Sequence, residues 1–187
     1  MMTIDDMLSQ VAKITGTALD TKSEKKSVTK TKIEEIHNKS NVLGEKASAK
    51  LSLGLSLSKE IAYCVEQAAQ MMGISVVTSI VNDGGRLILL QAMDDSLIAS
   101  ISASQDKAYT AAALKMPTHE ALKCSRGGSL DGLTNGNGIL LLGGGYPLEY
   151  GGKTVGAVGV SGGTKDQDIM LAKTAVNYFC KRIMTLS

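Results

Sequence analysis

Between residues 138 and 163 the chain reads GILLLGGGYPLEYGGKTVGAVGVSGG, and ten of these twenty-six positions are glycine. The residues between the glycines are aliphatic or β-branched, the composition of buried strands. Glycine inside a strand costs conformational entropy and offers no side chain to pack, so its repeated use points to sharp reversals, positive φ angles or a close approach to the backbone. The glycine clusters divide the stretch into expected strands over 139–142, 146–150 and 154–160. Pro147 lacks a ladder donor and suits an edge or an irregular position. Strands joined by turns this short must pair antiparallel. The stretch is not a phosphate-binding Walker loop, because no Gly-Lys-Ser/Thr follows at the required spacing before a helix.

The elements around it are legible by period. SLSKEIAYCVEQAAQMMG places Ile61, Val65, Ala68, Ala69 and Met72 on one face of a helix, with Ser56 or Ser58 as its cap and Gly73 as its stop. ISVVTSIVNDGGRLILLQAMDD gives two strand-like runs about the turn Asn82-Asp83-Gly84-Gly85. SLIASISASQDKAYTAAALKM predicts an alanine-rich helix that ends before Pro117, with Ile98, Ile101, Ala108 and Ala112 facing a sheet. Residues 118–137 read as a short helix and an irregular loop, and TKDQDIMLAKTAVNYFCKRIM as a closing amphipathic helix capped by Thr164. The fold class is therefore α+β, with a five-stranded antiparallel sheet flanked by helices.

The 187 residues divide by composition into three parts. Residues 1–20 put Ile4, Met7, Leu8, Val11 and Ile14 on one side of a short helix, capped by Thr3 and started by Asp5 and Asp6. Such a stripe needs a partner surface, either as a docked terminal helix or as a sorting peptide. Residues 21–50 carry eight Lys against four Glu with no aromatic residue, a polar linker. Residues 51–187 hold all six aromatics and eleven charges of each sign, the composition of a folded domain. A neutral domain with three arginines lacks the footprint of a nucleic-acid binder. Cys64, Cys124 and Cys180 are widely spaced and odd in number, which argues against a disulfide framework or a zinc site and fits a reducing cytoplasm. No apolar run is long enough to span a bilayer, and the first residues lack the apolar centre of a secretion signal.

Two functional features stand out. Gly162, Gly163 and the Thr164 cap open the last helix, and bare amides at a helix start favour a carboxylate or phosphate; the alternative is an ordinary hairpin turn and helix entry. Asp83, Lys107 and Asp168 each have a plain structural reading, as turn former, surface lysine and first-turn acid respectively. Ser161 in GVSGG fits the spacing of a hydrolase elbow, but no histidine follows it, which excludes serine hydrolysis. No other nucleophile and base pair emerges.

VVTSIVNDGGRLILLQAMDDSLIASISASQDKAYTAA and GGGYPLEYGGKTVGAVGVSGGTKDQD together resemble the GlcG/HbpS-like family, which includes the C-terminal domain of PduO-type corrinoid adenosyltransferases. The resemblance covers residues 55–187. It implies a profilin-like antiparallel sheet flanked by helices, assembly into homo-oligomers, and a haem or corrinoid ligand in some members. Lys107, Thr110, Gly144, Gly145, Gly162, Gly163, Thr164 and Asp168 form the ligand-binding set it implies. Haem-binding members use a histidine near the start of the domain, whereas this domain's first helix has none; His119, Tyr63 and Cys64 are the candidate iron donors left. Because other members are encoded with bacterial microcompartment enzymes, residues 3–19 acquire the reading of an encapsulation peptide for shell or cargo proteins. Three functions follow as expectations: an oligomeric binding protein for haem or a corrinoid inside a microcompartment, an enzyme acting on haem or a small carboxylate, and an assembly adaptor without ligand.

Overall fold

The structure is a computed structural model and describes residues 53–185. The stripe over 3–19 and the linker over 21–50 lie outside the described residues. The described chain runs α1 (Leu55–Met71), β1 (Val77–Asn82), β2 (Leu87–Ala92), α2 (Ala99–Leu114), α3 (Thr118–Cys124), β3 (Gly145–Tyr150), β4 (Lys153–Ser161) and α4 (Lys165–Met184). The sheet order is β2-β1-β4-β3 and every pairing is antiparallel. The expected α+β class with an antiparallel sheet between helices is what the chain adopts.

Each face of the sheet has its own cover. Ile61, Val65, Ala68 and Ala69 of α1 and Leu171, Ala172, Ala175 and Phe179 of α4 share one core with Ile80, Leu148, Val158 and Val160. On the other face Ala108, Ala111 and Ala112 of α2 pack on Val81 and Ala157. The second contact is made of small residues for a reason visible in the strands. Gly145 and Gly159 stand opposite each other in the β3–β4 register. A Cβ on Gly159 would meet the Ser104 carbonyl and, at 2.6 Å, the Ala108 amide; one on Gly145 would meet the Lys107 carbonyl and, at 2.5 Å, Thr118 Cγ2. The paired glycines form a notch that lets the α2 backbone rest on the sheet.

That close approach corrects the expected orientation of α2. Its buried residues are Ser100, Ser104, Lys107, Ala108, Thr110, Ala111 and Ala112, so the expected Ala108 and Ala112 are buried while the isoleucines are not, and the buried hydroxyls of Ser79 and Ser104 hydrogen-bond at 2.8 Å. Ile98, at 86% exposure, and the partly exposed Ile101 point away from the sheet, because there is no depth beneath the helix for a branched side chain.

The sheet has four strands among the described residues, not five. Residues 139–142 form only an isolated bridge between Gly136 and Ile139. Their polar groups are met by side chains instead of a ladder: the Leu140 amide donates to Thr110 Oγ1 at 2.8 Å, the Leu141 amide to Asn135 Oδ1 at 2.8 Å, and Thr118 Oγ1 donates to the Leu142 carbonyl at 2.6 Å. A segment whose backbone is satisfied in this way has no need of a strand partner.

Candidate functional site

Lys107 belongs to α2 on one side of the sheet and Asp168 to α4 on the other. The lysine passes the end of β3 at Gly144, where a Cβ would lie 2.5 Å from the Val160 carbonyl, 3.0 Å from Asp168 Cβ and 3.1 Å from Lys107 Nζ. Lys107 Nζ donates to Asp168 Oδ2 at 2.7 Å and to the Val160 carbonyl at 3.0 Å. The lysine side chain is fully buried and the aspartate side chain 5% exposed. Burial lowers the Lys107 ammonium and raises the Asp168 carboxyl from their ordinary values, and the attraction within the pair acts against both changes. Neither residue is the surface lysine or the ordinary first-turn acid that the sequence allowed.

The Gly163 and Thr164 amides at the start of α4 are taken by side chains of the same helix. The Gly163 N–H donates to Asp168 Oδ1 at 2.9 Å. The Thr164 N–H donates to Gln167 Oε1 at 2.8 Å, and the Gln167 N–H to Thr164 Oγ1 at 3.3 Å, a reciprocal capping box. Lys107, Gly144, Gly163 and Asp168 are thus brought together, with Gly145 next to Gly144 at the start of β3 and Thr164 next to Gly163, whereas Thr110 lies toward the 138–140 loop. Thr110 is fully buried and holds the 138–140 loop, donating to the Gly138 carbonyl at 3.3 Å. Thr118, which the sequence did not single out, accepts the Gly145 N–H at 3.0 Å. Its signal was present: Pro117-Thr118 opens a helix two residues after a left-handed Lys115.

An open groove lies elsewhere, between α2 and the β1–β2 hairpin. It encloses about 280 Å³ and is lined by Val81, Leu87, Gln105, Asp106, Tyr109 and the Asn137-Gly138 loop, with Gly85 at its rim. The Tyr109 ring lies between two glycine turns: a Cβ on Gly85 would come within 2.8 Å of it and one on Gly138 within 3.2 Å. Ile98, Ile101, Gln105 and Tyr109 follow one another at helical spacing, so the exposed isoleucines at the start of α2 share a face with two residues that line the groove.

The three expected iron donors differ in what they offer. Cys64 is buried in the α1 face of the core, and burial pushes its thiol up to about 12, so it holds no thiolate near neutrality. Tyr63 is half-exposed on α1. His119 stands in the first turn of α3 and is partly buried. Its side chain is 20% exposed, its Nε2 lies 3.8 Å from Glu120 Oε1, and its ring meets that of Tyr146 with centroids 5.6 Å apart. Both His119 Nδ1 and Tyr146 Oη are buried without a hydrogen-bond partner. Each such orphan costs about 1–3 kcal/mol.

This is a mixed domain in which one antiparallel sheet carries helices on both faces, a buried ion pair joins the two helical layers, and an apolar groove opens on one of them. The chain belongs to the HbpS-like family: the profile described as "Haem degrading protein HbpS-like" matches residues 53–177. A 15.0 kDa protein from the dhaT-dhaS intergenic region of Citrobacter freundii is 44% identical over 131 residues, covering 68% of this chain and 92% of that protein. The corrinoid adenosyltransferase PduO of Citrobacter freundii is 34% identical over 70% of this chain, and the match spans only 41% of that enzyme. Among solved structures, a PduOC:haem complex superposes with a TM-score of 0.65 at 32% identity, covering 68% of this chain and 95% of the other. Among the described residues no helix is long and apolar enough to cross a membrane.

Proposed function

We propose that the chain is a homo-oligomeric binding protein for haem or a related tetrapyrrole, with the ligand seated at the Tyr109 groove where two copies meet. The observation that carries this reading is that the exposed Ile98 and Ile101 share a helix face with the groove residues Gln105 and Tyr109. Leu97 and Ile98 are 64% and 86% exposed, a disposition that favours cover by another surface. The groove alone falls just below the range of about 300–1,000 Å³ usual for small-molecule pockets, and a second copy over this stripe would deepen it. The similarity to a haem complex favours the ligand class.

The residues at the groove fit such a group in part. Val81 and Leu87 offer apolar contact, and the Tyr109 phenol is an oxygen donor of a kind that ligates haem iron. Cys64 does not fit, since it faces the core. The sealed cluster of Lys107, Gly144, Gly163 and Asp168 supports the ligand indirectly, by fixing α2 and hence the Tyr109 wall. Haem, when bound, supplies a redox-active iron and a visible absorption band.

Haem titration followed at the Soret band, with light scattering on the same samples, tests both halves of this reading. The parent chain is expected to give a saturable red shift at micromolar haem and a mass of several subunits. Ile98→Glu with Ile101→Glu lowers the mass and weakens haem binding at least tenfold, while Tyr109→Phe alters the band position and leaves the mass unchanged. A monomeric parent chain, or no Soret shift, overturns the reading.

We further propose that residues 3–19 direct the protein into a bacterial microcompartment, on the strength of the apolar stripe Ile4, Met7, Leu8, Val11 and Ile14 and the polar linker after it. In a host that makes the compartment, a fluorescent fusion of the full chain should form puncta, and one lacking residues 1–20 should be diffuse. Puncta of equal intensity from the truncated fusion would sink the sorting role.

A further inference from the structure

His119 Nδ1 and Tyr146 Oη, the two buried side-chain atoms without a partner among the described residues, belong to rings in contact at the β3 edge of the sheet, opposite the β2 edge whose Leu87 lines the Tyr109 groove. Tyr146 is the second residue of the edge strand β3 and is 8% exposed. His119 lies on α3, with its Nε2 toward Glu120, which leaves Nδ1 facing inward. Two donor-capable groups in ring contact and both without a partner form an arrangement that a bound oxygen acceptor would complete.

The surroundings are cationic. Lys123 is four residues after His119 and shares its helix face. Lys165 and Lys173 flank Ile169 on one face of α4, and this face adjoins the loop before β3: a Cβ on Gly143 would lie 2.8 Å from Ile169 Cδ1 and 3.0 Å from Lys165 Cγ. Burial is the main force opposing protonation of the His119 imidazole; Glu120 acts the other way, and Lys123, Lys173 and Lys165 each add a smaller opposing effect. Asp168, also on α4, is already paired with Lys107 and adds no free negative charge.

We infer that the junction of α3, the start of β3 and the first turns of α4 is a binding site for a small oxyanion, a carboxylate or a phosphate group, held by His119 Nδ1–H and Tyr146 Oη–H within the field of Lys123, Lys165 and Lys173. His119 is the gate. Its partial exposure on a seven-residue helix gives the anion a path to the two donors once the ring turns. The site shares no residue with the Tyr109 groove, and it stands whether or not haem binds there.

The test uses the full chain with ¹³C-labelled histidine. Its two histidines are assigned by comparison with His119→Gln, and inorganic phosphate and succinate are titrated separately against a chloride control. The expected result is a saturable shift of the His119 signal at millimolar or lower concentration, with a rise in the His119 pKa as the anion counters the lysines. Saturation by one anion and not the other supports the site and names its class. Tyr146→Phe, which keeps the ring and its packing, weakens binding about tenfold, the worth of one charge-assisted hydrogen bond. Lys165→Gln with Lys173→Gln weakens it further, and neither variant changes the haem titration. A signal that does not saturate with either anion, or equal affinity in the parent and Tyr146→Phe, overturns the inference.

Discussion

Lys107→Met is expected to cost about 3–5 kcal/mol at neutral pH, a large share of the roughly 5–15 kcal/mol that holds a domain of this size together. The substitution keeps the length and much of the volume of the side chain, so cavity formation is a minor part of the loss. The damage is electrostatic. Asp168 remains buried with only the Gly163 amide to meet it, and the Val160 carbonyl loses the ammonium donor. In the variant the carboxyl, deprived of its counter-charge, has its folded-state pKa raised well above the unfolded value of about 3.9. A group raised in this way contributes stability that is present below the unfolded pKa and is lost as pH rises through the folded one. Urea midpoints measured across pH should therefore show the variant closest to the parent in acid and farthest from it near neutrality. Lys107→Met combined with Asp168→Leu removes both charges and should recover most of the loss. A single variant as stable as the parent at neutral pH, or a deficit that does not shrink in acid, would contradict the assignment of this pair as the tie between the two helical layers.

Much of the scaffold was legible because it is written in period and punctuation. The α1 stripe of Ile61, Val65, Ala68 and Ala69, the Gly73 stop, the Asn82–Gly85 hairpin and the Thr164 cap all stand where spacing put them. In the hairpin, Asn82 makes the turn, its Oδ1 accepting the Gly84 and Arg86 amides. Three things were not legible, each because it depends on depth instead of order along the chain. Residues 139–142 have strand composition, but side-chain oxygens of Thr110 and Asn135 take their amides. The isoleucines of α2 have the right spacing to face a sheet, yet the glycine notch leaves room beneath the helix only for Ser104 and Ala108. Lys107 reads as a surface residue once the isoleucines are set against the sheet, and the passage at Gly144 lets it reach Asp168. The open amides inferred at Gly163 and Thr164 failed for a related reason: the same helix carries Gln167 and Asp168, which fold back over its own start.

Gly159→Ala tests the notch directly. The new methyl group would overlap the Ser104 carbonyl and lie 2.6 Å from the Ala108 amide, and both are backbone atoms of α2 that no side-chain rotation can move aside. Either α2 lifts from β4 or the strand bends, at an expected cost of about 3 kcal/mol or more, at the upper end of overpacking effects. Gly54→Ala is the control, since a Cβ there meets nothing within 4 Å, and it should cost under about 1 kcal/mol as a change of helix cap. Urea unfolding of both variants decides the matter, and near-equal midpoints would mean that α2 does not rest on the β4 backbone as described. Lifting α2 has a second consequence. Ser104, Lys107 and Tyr109 all ride on that helix, so its displacement loosens the Ser79 contact, strains the tie to Asp168 and moves the groove wall together. Gly159→Ala protein that remains folded should therefore lose haem affinity out of proportion to its stability, whereas a destabilising change confined to the α1 and α4 core should not. The glycines that opened the sequence thus act at a distance, by letting a helix lie close enough for its polar residues to reach across the sheet.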